Sequence, residues 1–137
     1  MSMNSSAYML IFRETTPERY AAMSADERRE RLREWNGWCD RLAAEGVLRS
    51  GHPLEDGGRL VTAGLAKGGV DGPFAEAKEL IGGYFLIEAG SLDEAEAIAK
   101  QSPNLRYGMS VEVRQVAQGC HLARSLGMTS MREPSSI

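Results

Sequence analysis

The sequence predicts an α+β domain in which an antiparallel sheet of split βαβ plan carries two helices on one face. Three observations point there. A short apolar run at 7–13 is followed by a long amphipathic helix at 24–45. An apolar stretch at 80–89 leads into a second helix that opens at Ser91. A closing segment, 108–116, alternates apolar and polar residues.

The first run, Ala7-Tyr8-Met9-Leu10-Ile11-Phe12-Arg13, is too short for a core helix and rich in strand formers. It is expected to be a central strand buried on both faces. Thr15, Thr16 and Pro17 end it. Ser24 with Glu27 three residues on is a capping-box pattern that opens a helix. From there Leu32, Trp35, Cys39 and Leu42 recur at helical spacing, with Arg31, Glu34, Arg41 and Glu45 assigned to the opposite face. Gly46 is the stop. Val47 to Leu54 reads as a short extended piece, and Glu55-Asp56-Gly57-Gly58 as a turn. Arg59 to Leu65 reads as a strand, followed by a glycine-rich corner from Lys67 to Pro73. Leu80 to Ala89 is the next strand. Ser91 caps a helix whose apolar face is Leu92, Ala95, Ile98 and Ala99, with Asp93 and Glu94 where the helix dipole favours acids.

Strand, helix, strand, strand, helix, strand is the ferredoxin-like order. Two helices cover one face of such a sheet. The other face needs an apolar partner, and a second copy is the simplest one, so a homodimer is expected. The domain is expected over residues 7–116, with 117–137 a weakly helical or disordered tail.

Composition narrows the function classes. The net charge of −3 is spread along the chain without a basic tract, which argues against nucleic-acid binding. Two cysteines (Cys39, Cys120) and two histidines (His52, His121) lack metal-ligand spacing, so neither a metal nor another cofactor is expected. The first residues lack the basic start and apolar run of a signal peptide, and no stretch is long enough for a membrane span. A cytoplasmic protein is expected. No GxGxxG, GxxxxGK[ST] or GxSxG pattern occurs, so a phosphate cradle and a serine elbow are unsupported.

The informative segment is Asp71-Gly72-Pro73-Phe74-Ala75-Glu76-Ala77-Lys78-Glu79 running into Leu80-Ile81-Gly82-Gly83-Tyr84. Gly72-Pro73 makes a rigid turn that presents Asp71 at a sheet edge. Asp71 beside Lys78 and Phe74 has the makings of a proton carrier or polar anchor. The plainer alternative has Asp71 capping the turn and Lys78 pairing with a carboxylate, with Glu76 and Glu79 carrying no further role. His52, in a loop after the long helix, is the one histidine placed to approach this loop. Trp35, Trp38, Phe74 and Tyr84 are expected to wall a cleft between helix and sheet, with Lys78 among the ligand contacts.

The Asp-Gly-Pro-Phe segment, with Leu86–Ala89, Ser91–Ala95, Pro103, Val111–Val116, Trp35-x-x-Trp38 and Gly46-x-Leu48, resembles the YCII-related family in its DGPF-motif branch, over roughly 7–116. The resemblance implies a dimeric α/β barrel of ferredoxin-like subunits. It implies little about activity: some members are associated with sigma factors, and a few relatives are suspected enzymes with a His–Asp pair. Asp71 matches the motif aspartate, but the first long helix here has no histidine. The expected function is a dimeric small-molecule-binding domain with its cleft near this loop. The alternatives are a cofactor-independent enzyme using Asp71, with His52, as acid and base, and a dimeric interaction module linked to transcriptional regulation.

Overall fold

The computed structural model describes residues 5–14, 18, 20–63 and 80–128. Four strands form one sheet: β1 (Ser6–Glu14), β2 (Leu48–Pro53), β3 (Leu80–Ala89) and β4 (Ser110–Gln115). Helix α1 (Ala25–Ala44) joins β1 to β2, and α2 (Leu92–Ala99) lies between β3 and β4. A 3₁₀ turn (Pro103–Tyr107) follows α2, and a short helix α3 (His121–Ser125) follows β4.

The strand order is β2-β3-β1-β4, and β1–β3, β1–β4 and β2–β3 are all antiparallel. Thus β1 and β2, joined through α1, run parallel with β3 inserted between them. β3 and β4, joined through α2, run parallel with β1 inserted. Two interleaved split βαβ units are the ferredoxin-like plan.

β1 is central, as expected, but its burial alternates. Tyr8, Leu10, Phe12 and Glu14 are buried, whereas Ala7, Met9, Ile11 and Arg13 are half-buried. The same alternation in β3 buries Phe85, Ile87 and Ala89 and leaves Tyr84, Leu86 and Glu88 half-buried. Both long helices pack on the first of these faces. Trp38 and Leu42 of α1 join Tyr8, Leu10, Phe12, Phe85 and Ile87 in one core with Ala95, Ile98 and Ala99 of α2. On the other face the ends of the strands are tied by Arg13–Glu112 (2.6 Å) and by an Arg49–Glu88 pair.

Capping sets the bounds of α1. The Ser24 hydroxyl accepts from Glu27 N (3.1 Å), and the Glu27 carboxylate accepts from Ser24 N (3.3 Å). At the other end Gly46 takes φ +73°, which lets its N–H reach Ala43 O and lets Val47 N reach Leu42 O. That is the double bond of a Schellman stop, and a residue with a Cβ would be strained there.

Two expectations need correction. The inward stripe of α1 is Arg31-Trp35-Trp38-Leu42, not Leu32-Trp35-Cys39-Leu42. Leu32 is 58% exposed, Cys39 only flanks the core, and Trp38 is completely buried. Both stripes obey helical spacing, and they differ by a small rotation about the axis. Secondly, Arg59 to Ala63 forms no strand: Leu60 makes an isolated bridge, and Val61 is 78% exposed. Leu60 and Val61 stay exposed, so the segment has no apolar face packed on the core to hold it as a strand. Residues 64 and 65, the corner from Lys67 to Pro73 and the tail beyond 128 lie outside the described residues.

Candidate functional site

Between the first turns of α1 and the β1–β3 end of the sheet lies a cleft of about 560 Å³. Phe12, Trp35 and Phe85 form its aromatic wall, and Glu14, Tyr20, Arg28, Arg31 and Asn104 supply its polar groups. Gly51, Pro53, Leu54, Gly82 and Gly83 close the strand side.

The wall is rigid because its rings interlock. Phe12 meets Trp35 edge-on at 5.0 Å and Phe85 at 4.9 Å, and Trp35 lies 5.3 Å from Phe85. Trp38 stacks on Phe85 at 5.5 Å from within the core. It was expected on the cleft wall. The structure places it behind that wall, wholly buried, because i+3 from Trp35 on this helix points into the sheet.

Glu14 occupies the inner end. It is the last residue of β1, only 7% exposed, and its Oε1 accepts a long hydrogen bond from the Tyr20 hydroxyl (3.4 Å). A β-bulge delivers it there. The ladder steps from Phe12↔Gly83 to Arg13↔Ile81, leaving Gly82 without a partner across the β1–β3 ladder. A Cβ on residue 82 would stand 2.4 Å from Glu14 Oε2, so the missing side chain makes room for the carboxylate.

Arg31 occupies the mouth. Its guanidinium lies 3.8 Å from the centroid of the Tyr107 ring and 5.3 Å from that of Tyr20. It donates at long range to Asn104 Oδ1 (3.5 Å) and at ordinary distance to the sulfurs of Met109 (3.5 Å) and Met23 (3.6 Å). Tyr107 is held in turn by Glu34, whose carboxylate accepts from the Tyr107 hydroxyl (2.8 Å) and pairs with Arg106. The Tyr107 hydrogen bond, with Arg106 second, holds the Glu34 carboxyl below its ordinary range, and Glu34 pushes the Tyr107 hydroxyl above its own.

His52 and Tyr84 are direct cross-strand partners that also border the cleft. Their neighbours Gly51 and Phe85 face α1, so strand alternation sends both rings to the opposite side of the sheet. There His52 Nδ1 and the Tyr84 hydroxyl are hydrogen-bonded at 2.8 Å, with ring centroids 5.7 Å apart. Asp71, Phe74, Glu76, Lys78 and Glu79 lie outside the described residues.

Of the expected site residues, the structure brings Trp35, His52 and Tyr84 to the cleft. Sequence reasoning missed Glu14, Tyr20, Arg28, Arg31 and Asn104. One signal was available for Arg31: it lies seven residues before Trp38 and eleven before Leu42, on the same inward line. Glu14 carried none, because a charge at the end of an apolar run reads as the strand leaving the core.

Among the described residues no group of His, Cys, Asp and Glu has the makings of a metal site, and no helix is long and apolar enough to cross a membrane.

Comparison with solved structures finds the 5-chloro-2-hydroxyhydroquinone dehydrochlorinase TftG from Burkholderia phenoliruptrix AC1100, in complex with 2,5-dihydroxybenzoquinone. The likeness covers 82% of this chain and 95% of that one, at 22% identity and a TM-score of 0.45. Among curated proteins, the uncharacterized protein R00369 of Rhizobium meliloti (strain 1021) is 47% identical over 49 residues, 35% of this chain. The match spans 40% of that relative's length. The family model described as the YCII-related domain matches residues 7–118, most of the sequence, and the chain belongs to the YCII-related domain family.

Proposed function

We propose that the chain is a small-molecule-binding domain that works as a homodimer and takes its ligand in the cleft beside α1. The observation that carries this reading is the cleft of about 560 Å³, with an interlocked aromatic wall and charged groups at both ends. That combination of apolar lining and a few convergent polar groups is what small-molecule sites offer. Trp35 supplies the wall, and Tyr84 with His52 borders the rim. Asp71, Phe74 and Lys78 belong to the same proposed site. Their segment joins β3 at Leu80, two residues before Gly82 in the cleft lining.

The dimer rests on the second sheet face, where Met9, Ile11 and Leu86 are half-buried and neither long helix packs. Sheet-on-sheet contact would bury them. Analytical ultracentrifugation at micromolar concentration checks this half of the proposal, and a stable 15.0 kDa monomer would overturn it.

A second reading, a cofactor-independent enzyme, draws on Glu14. A carboxylate at the inner end of an aromatic-walled cleft is positioned to take or give a proton. Asp71 is the alternative proton carrier in that reading, without His52, whose ring lies on the other face of the sheet against the Tyr84 hydroxyl.

A thermal-shift screen of small organic acids, phenols and ketones tests the binding function. Hits whose effect disappears in Trp35→Leu support it. A screen without hits at millimolar concentration, or hits indifferent to Trp35, overturns it. Turnover of a hit that is lost in Glu14→Gln, or in Asp71→Asn, would move the assignment from binder to enzyme.

A further inference from the structure

We infer that the ligand of this cleft is a ring that carries a straight apolar chain, the ring seated on the Phe12–Trp35–Phe85 wall and the chain leaving between Leu32 and Leu54. This inference rests on the cleft being a ligand site and adds the shape and chemistry of what enters it.

The apolar lining of the cleft does not stop where its walls reach solvent. Phe12 and Phe85 are buried, and Trp35 is half-buried. Leu32 and Leu54 line the same cleft, yet they are 58% and 47% exposed. They come from its two sides: Leu32 belongs to α1, and Leu54 follows the last residue of β2. Leu32 lies three residues before Trp35, which makes the two neighbours on one helix surface. The Leu54 backbone N–H donates to Gly82 O at 2.9 Å, which fixes Leu54 against the end of β3. Pro53 carries the lining back from there to Gly51, whose Cα faces the Phe85 ring. An apolar track thus runs from the inner rings out to the rim on both sides.

Other exposed apolar side chains, Val61, Leu122 and Leu126, lie outside the cleft lining. Apolar residues scattered singly over a surface are ordinary. Leu32 and Leu54 differ because each extends a wall that is already apolar. A compact ring fills the space against Trp35 and leaves both leucines in water. A chain carried on the ring covers them, and each methylene taken out of water adds affinity. Neither leucine offers a polar group, so a chain studded with hydroxyls or charges gains nothing over water there.

The probes are 4-methylphenol, 4-propylphenol and 4-hexylphenol, titrated into the full chain by calorimetry at neutral pH, below the solubility limit of each. The expected result is one ligand per chain, with affinity rising about two-fold or more per added methylene and about thirty-fold across the series. Leu32→Gln and Leu54→Ser should each cost 4-hexylphenol several-fold more than 4-methylphenol. Trp35→Leu should weaken all three alike, because it removes the seat of the ring. Affinity that does not grow with chain length overturns the inference and leaves the cleft as a site for compact rings. Growth that survives in both leucine variants places the chain elsewhere and overturns the inference too. Binding indifferent to Trp35→Leu, or absent for all three probes, overturns the cleft reading and this inference with it.

Discussion

Gly82 and Glu14 share a space that only one of them can fill: a Cβ on residue 82 would lie 2.4 Å from Oε2 and 2.6 Å from Cδ of the Glu14 side chain. The obstruction is the far end of a flexible chain, which can swing away. Gly51 is different. A Cβ there would meet the Phe85 ring at 2.5 Å and the Tyr84 carbonyl at 2.8 Å, and neither a core ring nor a ladder carbonyl can step aside. Gly82→Ala is therefore expected to stay within about 1 kcal/mol of the parent, since the entropy gained over glycine offsets the shift of the carboxylate. Gly51→Ala is expected to cost about 1–3 kcal/mol through overpacking. Urea unfolding of the two variants side by side checks the order, and a Gly82→Ala more damaging than Gly51→Ala would contradict it.

The same pair shows how far the sequence could be read. The apolar runs and the caps at Ser24, Gly46 and Ser91 are local signals, and local signals gave the element order and the ferredoxin-like plan. The cleft depends on relations that spacing does not encode. Glu14 is a cleft residue only because Gly82, at a bulge on a strand far along the sequence, leaves room beside it. Arg31 is inward only because α1 is rotated slightly from the alternative stripe through Leu32 and Cys39, which satisfies the same periodicity. His52 and Tyr84 were read as near the cleft, and they are, but strand alternation aims their rings at the other face of the sheet. Arg59 to Ala63 has strand composition, yet Leu60 and Val61 stay exposed, and composition alone does not reveal whether a core face awaits a segment.

The two tryptophans should separate stability from binding. Trp38 is 0% exposed, so Trp38→Ala is expected to cost about 3–5 kcal/mol. Its Nε1 is buried without a hydrogen-bond partner among the described residues. Trp38→Phe removes that unsatisfied donor, worth about 1–3 kcal/mol, while opening a small cavity of opposing cost, so the net change should be under about 2 kcal/mol. Trp35→Ala, at a half-buried position on the cleft, should cost less than Trp38→Ala and should be the variant that alters ligand response. Denaturation curves with and without a ligand hit test both statements. A Trp35→Ala less stable than Trp38→Ala would contradict the burial order.

The cysteines are expected to differ in reactivity. Burial raises the Cys39 thiol above its usual pKa, with the Asp40 charge adding to the effect. The backbone N–H groups of Ala123 and Leu122 lower that of Cys120. Because the thiolate is the nucleophile, iodoacetamide at neutral pH should label Cys120 first and Cys39 slowly. Peptide mapping over a time course reads this directly. Cys120→Ser should remove the fast phase, and a fast phase that remains would assign it to Cys39.

The Glu34–Tyr107–Arg106 cluster ties α1 to the 3₁₀ turn that flanks Arg31, and it should make stability depend on pH at both extremes. Glu34 is depressed below 4.5 by the Tyr107 hydrogen bond and the Arg106 charge. A depressed carboxyl contributes stability above its unfolded pKa and loses it as pH falls through the folded value. Tyr107 is raised above 10.0, mainly by its bond to Glu34, so its contribution is complete below 10.0 and is lost as pH rises through the folded value. Glu34→Gln should therefore be less stable than the parent between those limits, and the difference should shrink below pH 4.5. Tyr107→Phe should behave likewise but converge with the parent at the alkaline end as well. Thermal melts across the pH range read both trends. A gap between parent and Glu34→Gln that persists unchanged in acid would show that the cluster acts through packing, not charge.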